Sequence, residues 1–175
     1  LPTLAPGGRL AKNREALPAA IDPEEVRREL SAQIALFEQF AGRLPSHLDS
    51  HHHSALHPSV APVFAQIAAE FSLPVRAASP EALATLRRRG LRVPDFFADG
   101  FYGDGATVEN LLEILASLPE GTSELMCHPG RADAALRAGS SYAAEREGEI
   151  AALCDPRVRA RIGDLSIELV GFGPL

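Results

Sequence analysis

The sequence predicts an α/β fold with parallel strands, on three observations. Apolar stripes at helical spacing alternate along the chain with short apolar runs of strand length. Helix starts are marked by Asp, Ser or Thr, three times followed at once by Pro, and helix ends by Gly. No internal repeat or low-complexity tract interrupts the alternation, which is the pattern of helices covering a parallel sheet.

In order, residues 1–21 are rich in Pro, Gly and Ala and read as an irregular lead-in. Asp22-Pro23-Glu24-Glu25 opens a helix, with Asp22 as N-cap, Pro23 at the first position and Glu25 completing a capping box. Val26, Leu30, Ile34, Phe37 and Ala41 form its apolar stripe, and Gly42 stops it. Residues 47–51 are expected to be extended, with Asp49, His51 and His53 on one face. A helix follows over 58–71, with Pro58 in its first turn, and then a strand over 73–77. Another helix over 80–89 ends at Gly90, and its Arg87-Arg88-Arg89 run reads as a solvated face near the negative helix end.

Residues 94–105 hold four of the ten aromatics beside three carboxylates and three glycines, without helical periodicity. Such a loop is either a lid whose aromatic faces meet sugar rings or a satellite core of Phe side chains. Thr107 caps a helix carrying Leu111, Leu112, Ile114, Leu115 and Leu118. Residues 123–127 read as a buried strand leading into His128-Pro129-Gly130, and Cys127 as a buried structural thiol. A loop over 131–139, a helix over 142–154 capped by Ser141, an Arg-rich helix after Asp155-Pro156 and a strand over 165–170 complete the chain.

With 175 residues and 46% hydrophobic content the chain can bury one core, so a single domain over 1–175 is expected. A net charge of −6 argues against a nucleic-acid partner, which asks for a basic stripe. Two cysteines make no disulfide framework, and together with the absence of a membrane-length apolar run they point to a reducing, cytoplasmic setting and no membrane partner.

The chemistry concentrates in His47-Leu48-Asp49-Ser50-His51-His52-His53, since five of the six histidines fall within eleven residues. Imidazole is the commonest side-chain metal ligand, so His51 or His53 could ligate, and Asp49 could ligate or orient an imidazole. The competing reading is a solvated histidine loop. His128, after a strand and before a Pro-Gly turn, occupies the same type of position as His51.

These motifs, with Phe101-Tyr102-Gly103 and Glu124-Leu125-Met126-Cys127-His128-Pro129-Gly130 in that order, resemble the YdjC-like (ChbG/HpnK) carbohydrate deacetylase family. The resemblance implies a distorted or incomplete (β/α) barrel, of which this chain is the C-terminal two-thirds. It implies a metal-dependent hydrolase that removes acetyl groups from N-acetylated sugars such as chitooligosaccharides, with a divalent ion, Mg or Zn, as cofactor. Residue by residue it makes His51 a metal ligand with His53 and Asp49 as neighbours at the site. It makes His128 the general acid or a polar contact to substrate, and gives Arg76 a family position; Phe101 and Tyr102 would contact the sugar. The chain departs from the family at Ala55, where another histidine is usual. The family's paired aspartates and Gly-x-His segment are expected before residue 1. On that reading strand edges are left unpaired and the chain should self-associate. The alternative is a truncated, non-catalytic module that binds carbohydrate or metal.

Overall fold

The computed structural model describes residues 1–173 and 175. It divides into two compact units, one of residues 1–94 with 171–175 and the other of residues 95–170. Parallel pairing occurs in both, so the architecture is α/β with parallel strands, in a smaller amount of sheet than the sequence predicts.

The first unit is built on α1 (Pro23–Ala41) packed against α2 (Ala61–Glu70). Val26 and Ile34 of α1 meet Val63, Phe64 and Ile67 of α2 in a core that also buries Val75 and Val93. Asp22 caps α1 as expected, its side chain accepting the Glu24 N–H, and Gly42 ends the helix at φ 68°, a left-handed turn open to glycine without a Cβ clash. The capping box does not form. The Asp22 N–H goes to Thr3 Oγ1, and Glu25 turns away to accept from Thr3 and Leu4 instead. The lead-in is thus fastened to α1, with Leu4 and Ile21 buried in the core.

The strands expected over 47–51 and 73–77 shrink to a single parallel bridge, Leu48 to Val75. Leu48 N–H donates to Pro74 O at 2.9 Å and Arg76 N–H to Leu48 O at 3.1 Å. Beyond Ser50 the chain coils into short turns over His51–Leu56, with His52 and His53 in the left-handed region at φ 49° and 52°. Strand alternation therefore does not extend to His53. Helix α2 starts three residues later than expected because residues 57–60 form a turn on the His57 carbonyl, with Pro62 rather than Pro58 in the first helical turn. Helix α3 (Pro80–Arg88) has Ser79 as N-cap.

In the second unit, β1 (Phe96–Ala98) lies within the stretch expected to be wholly irregular. It pairs in parallel with β2 (Ser123–Leu125), in the register Phe96–Ser123 to Ala98–Leu125. Asp95 and Thr122 staple the entry of the pair through side-chain and backbone hydrogen bonds of 2.7–3.2 Å. Helix α4 (Val108–Ser117), capped by Thr107, covers the pair's core with Leu111 and Leu115 against Phe101. Three further helices follow: α5 (Ala134–Gly139), in a stretch expected to be loop, α6 (Glu145–Leu153) and α7 (Pro156–Asp164). Ser141 does not cap α6; that helix begins at Glu145 with Ala144 at the cap position. Residues 165–170, expected as a strand, form none. They follow α7 through a turn in which Ser166 takes φ 53°.

Candidate functional site

A parallel pair puts the C-terminal ends of its strands side by side, so residues just past the paired positions become neighbours. In the first unit Leu48 pairs with Val75, and the next residues, Asp49 and Arg76, meet as an ion pair of 2.6 Å. Asp49 also receives the Ser50 N–H at 2.6 Å, and Ser50 Oγ accepts the Ala55 N–H at 3.0 Å, which closes the histidine turns. The rings of His51 and His52 lie edge to face, 4.3 Å apart and exposed, while His53 is half-buried. His57 is buried, its Nδ1 accepting the Ser59 N–H, and serves the entry to α2. His47 stacks on Phe172 at 3.9 Å; burial pushes its imidazole below the ordinary value of 6.5, with Asp49 opposing and Arg76 adding to the effect. Among the described residues no group of three or more His, Cys, Asp or Glu side chains stands together to hold a metal ion.

In the second unit the same geometry brings Tyr102, four residues past Ala98, to His128, three past Leu125. Their rings stand edge to face at 5.4 Å. Tyr102 stacks at 4.3 Å on Tyr142 and remains half-exposed, whereas its neighbour Phe101 is fully buried and forms the core under the loop. The loop is held by Asn110 Nδ2, which donates to the carbonyls of Gly100 and Gly105 at 2.9 and 2.7 Å. Gly105 has to be glycine, because a Cβ there would sit 2.5 Å from the Gly100 oxygen.

Three residues around His128 escape reasoning from sequence: Tyr142, Arg146 and Glu149. Glu149 is completely buried, accepts the His128 backbone N–H on Oε2 and the Tyr142 hydroxyl on Oε1. Its Oε1 is 3.8 Å from His128 Nδ1. Arg146 grips the carbonyls of His128 and Tyr142 at 3.1 and 2.8 Å. Tyr142 Oη also accepts the Gly103 N–H at 3.2 Å. Burial first, then donation to Glu149, pushes the Tyr142 phenol up to about 12, so it stays a hydrogen-bond donor at neutral pH. The sequence carried one usable signal: Arg146, Glu149 and Ala152 recur at spacings of three, and that stripe faces inward at Glu149 and Ala152.

The arrangement offers an imidazole ringed by hydrogen-bonded polar groups beside an exposed aromatic face, which suits proton transfer to a ligand with an apolar face. The family model of YdjC-like proteins matches residues 1–164. A carbohydrate deacetylase of Geobacillus stearothermophilus is 37% identical over 94% of this chain and 65% of its own length. A chitooligosaccharide deacetylase of Yersinia enterocolitica is 34% identical over 85% of this chain and 60% of its own length. The crystal structure of a protein named for cellobiose-phosphate cleavage, from Enterococcus faecalis V583, superposes with a TM-score of 0.80 at 30% identity. It covers 88% of this chain, which in turn spans 61% of that protein. The chain therefore spans less than two thirds of each of these three relatives, and its likeness to them runs through both units. On the match of residues 1–164, the chain belongs to the YdjC-like protein family.

Proposed function

We propose that this chain is part of a carbohydrate deacetylase, which hydrolyses the acetamide of an N-acetylated sugar to acetate and a free amine. The observation that carries the reading is the setting of His128, an imidazole anchored at its backbone by a buried carboxylate and flanked by the exposed ring of Tyr102. Relatives named as carbohydrate and chitooligosaccharide deacetylases support it.

In the reaction a water oxygen bonds to the acetyl carbon, the C–N bond breaks, and the leaving nitrogen takes a proton. His128 takes a proton from the attacking water at Nε2 and passes it to the leaving nitrogen as the C–N bond breaks, a contribution worth roughly 10²–10⁴-fold. In the second unit Tyr102 supplies a flat apolar face suited to a sugar ring; in the first, Arg76, tethered by Asp49, supplies hydrogen-bond donors suited to hydroxyls. Phe101 acts from beneath the loop by packing. Asp49 is engaged by Arg76 and serves to orient rather than to take a proton. A (β/α) barrel arrangement and self-association of the chain belong to the same proposal.

A divalent ion, Mg or Zn, is proposed as cofactor with His51 and His53 as this chain's donors. Among the described residues these donors do not complete a coordination shell. Calorimetric titration of Zn²⁺ into the chain and into His51→Ala tests this part by itself. Binding with proton release, weakened in the variant, supports it; equal binding by both contradicts it. No helix of the described residues is long and apolar enough to cross a membrane. The reading as a whole is tested by acetate release from N-acetylglucosamine oligomers.

A further inference from the structure

Glu149 belongs to none of the motifs that carry the family resemblance, yet it is the hub of the second unit's polar cluster. It lies on the inward side of α6 with no exposure, and both of its oxygens are engaged. Oε2 takes the His128 backbone N–H, which fixes where the His128-Pro129-Gly130 turn leaves the strand. Oε1 takes the Tyr142 hydroxyl and stands 3.8 Å from His128 Nδ1, within ion-pair range but longer than a hydrogen bond. The same helix reinforces the turn elsewhere: Arg146 holds the His128 carbonyl, and Glu147 Oε1 accepts the Ala132 N–H at 3.0 Å.

We propose that Glu149 is the positioning residue of His128: its carboxylate keeps the hydrogen on Nδ1 and leaves Nε2 as the nitrogen that faces a ligand. Which imidazole nitrogen carries hydrogen is set by the partner of the other, and a carboxylate beside Nδ1 selects the Nδ1–H form. Through Tyr142, which joins Glu149 to the Gly103 N–H and stacks on Tyr102, the same carboxylate also aligns the aromatic face next to His128. The charged and titratable groups around this pair are Tyr142, Arg146 and Glu147 on and before α6 and Tyr102 from the facing loop. The catalytic consequence rests on the deacetylase reading; the state of the ring does not.

The test is the ring nitrogen spectrum of His128 at neutral pH, identified by its loss in His128→Ala. The Nδ1–H form is expected in the parent protein, with Glu149→Gln moving the ring toward the Nε2–H form that free imidazole side chains prefer. An Nε2–H ring in the parent, or one unchanged in Glu149→Gln, overturns the proposal. Tyr142→Phe keeps the carboxylate and removes only the phenol, so it should retain Nδ1–H; losing that form there would transfer control to the phenol and overturn the proposal too. With Tyr102→Phe as background a single phenol remains. Its ionisation midpoint should fall from about 12 toward the ordinary 10 when Glu149→Gln is added. Where the full-length enzyme releases acetate, Glu149→Gln should lower kcat by about tenfold or more with KM little changed, and add nothing on a His128→Ala background. Equal losses in both backgrounds would make Glu149 merely structural. Should the parent release no acetate, the deacetylase reading fails and the ring spectrum still decides the role of Glu149.

Discussion

The Arg76 guanidinium lies 2.6 Å from the Asp49 carboxylate, one residue beyond the bridge that pairs Val75 with Leu48. Parallel pairing places the two at the same end of the bridge. Both side chains keep partial contact with solvent, 20% and 35%, so the pair is worth much less than a buried one. A double-mutant cycle of Arg76→Ala and Asp49→Ala, read by urea unfolding, should give a coupling of about 0.5–1 kcal/mol. A coupling of zero would show that the two side chains do not act together in solution.

His52 and His53 hold left-handed backbone conformations, at φ 49° and 52°. The His52 side chain is exposed and meets the equally exposed His51 ring, a contact that both Gly and Val remove, so the difference between those two variants reports the backbone. His52→Gly should be neutral or stabilising, whereas the β-branched His52→Val should cost about 1–2 kcal/mol. Equal stabilities of the two variants by chemical denaturation would contradict the turn geometry.

Phe101 and Tyr102 are adjacent and opposite in role. Phe101 has no exposure and packs with Leu111 and Leu115, so Phe101→Ala should destabilise by about 3–5 kcal/mol. Tyr102 is 48% exposed, and Tyr102→Ala should cost far less stability while weakening sugar binding. Thermal unfolding of the two variants, with titration of an N-acetylglucosamine oligomer into Tyr102→Ala, checks both halves.

How far the sequence reveals this molecule depends on whether a feature is local. Helices α1, α3, α4 and α7 are legible from apolar spacing and local start signals, and each has a capping residue immediately before its first residue whose side chain accepts an N–H two or three residues on: Asp22, Ser79, Thr107 and Asp155. The sheet is less so. Residues 47–51 and 73–77 have strand composition, but only Leu48 and Val75 find a partner, and β1 was hidden in an aromatic-rich stretch that composition marks as loop. The neighbourhood of His128 follows the same rule. His128 and Tyr102 stand out as motif residues, whereas Glu149 is an ordinary glutamate on a helix until folding buries it 21 residues away from the turn it holds. Of the 94–105 stretch, Phe101 takes the core position that one reading expected, while the adjacent Tyr102 stays half-exposed.

The pH dependence of stability should carry a contribution from His47. Burial lowers its pKa below 6.5, so the unfolded chain binds the proton more readily than the folded one. Stability from this group is therefore present above about pH 6.5 and is lost as pH falls through that value toward the folded pKa. His47→Phe keeps a ring against Phe172 and removes the titration. Melting temperatures of the parent protein between pH 7 and 5 should fall more steeply than those of His47→Phe; parallel slopes would contradict the assignment.

Acetate release from N-acetylglucosamine oligomers, compared between the longer protein and its His128→Ala variant, reads out the proposed passage of a proton through His128 to the departing sugar amine. Acetate from the parent and a loss of about 10²–10⁴-fold in kcat for the variant are expected, with unfolding unchanged. Equal turnover by the two proteins would contradict that passage.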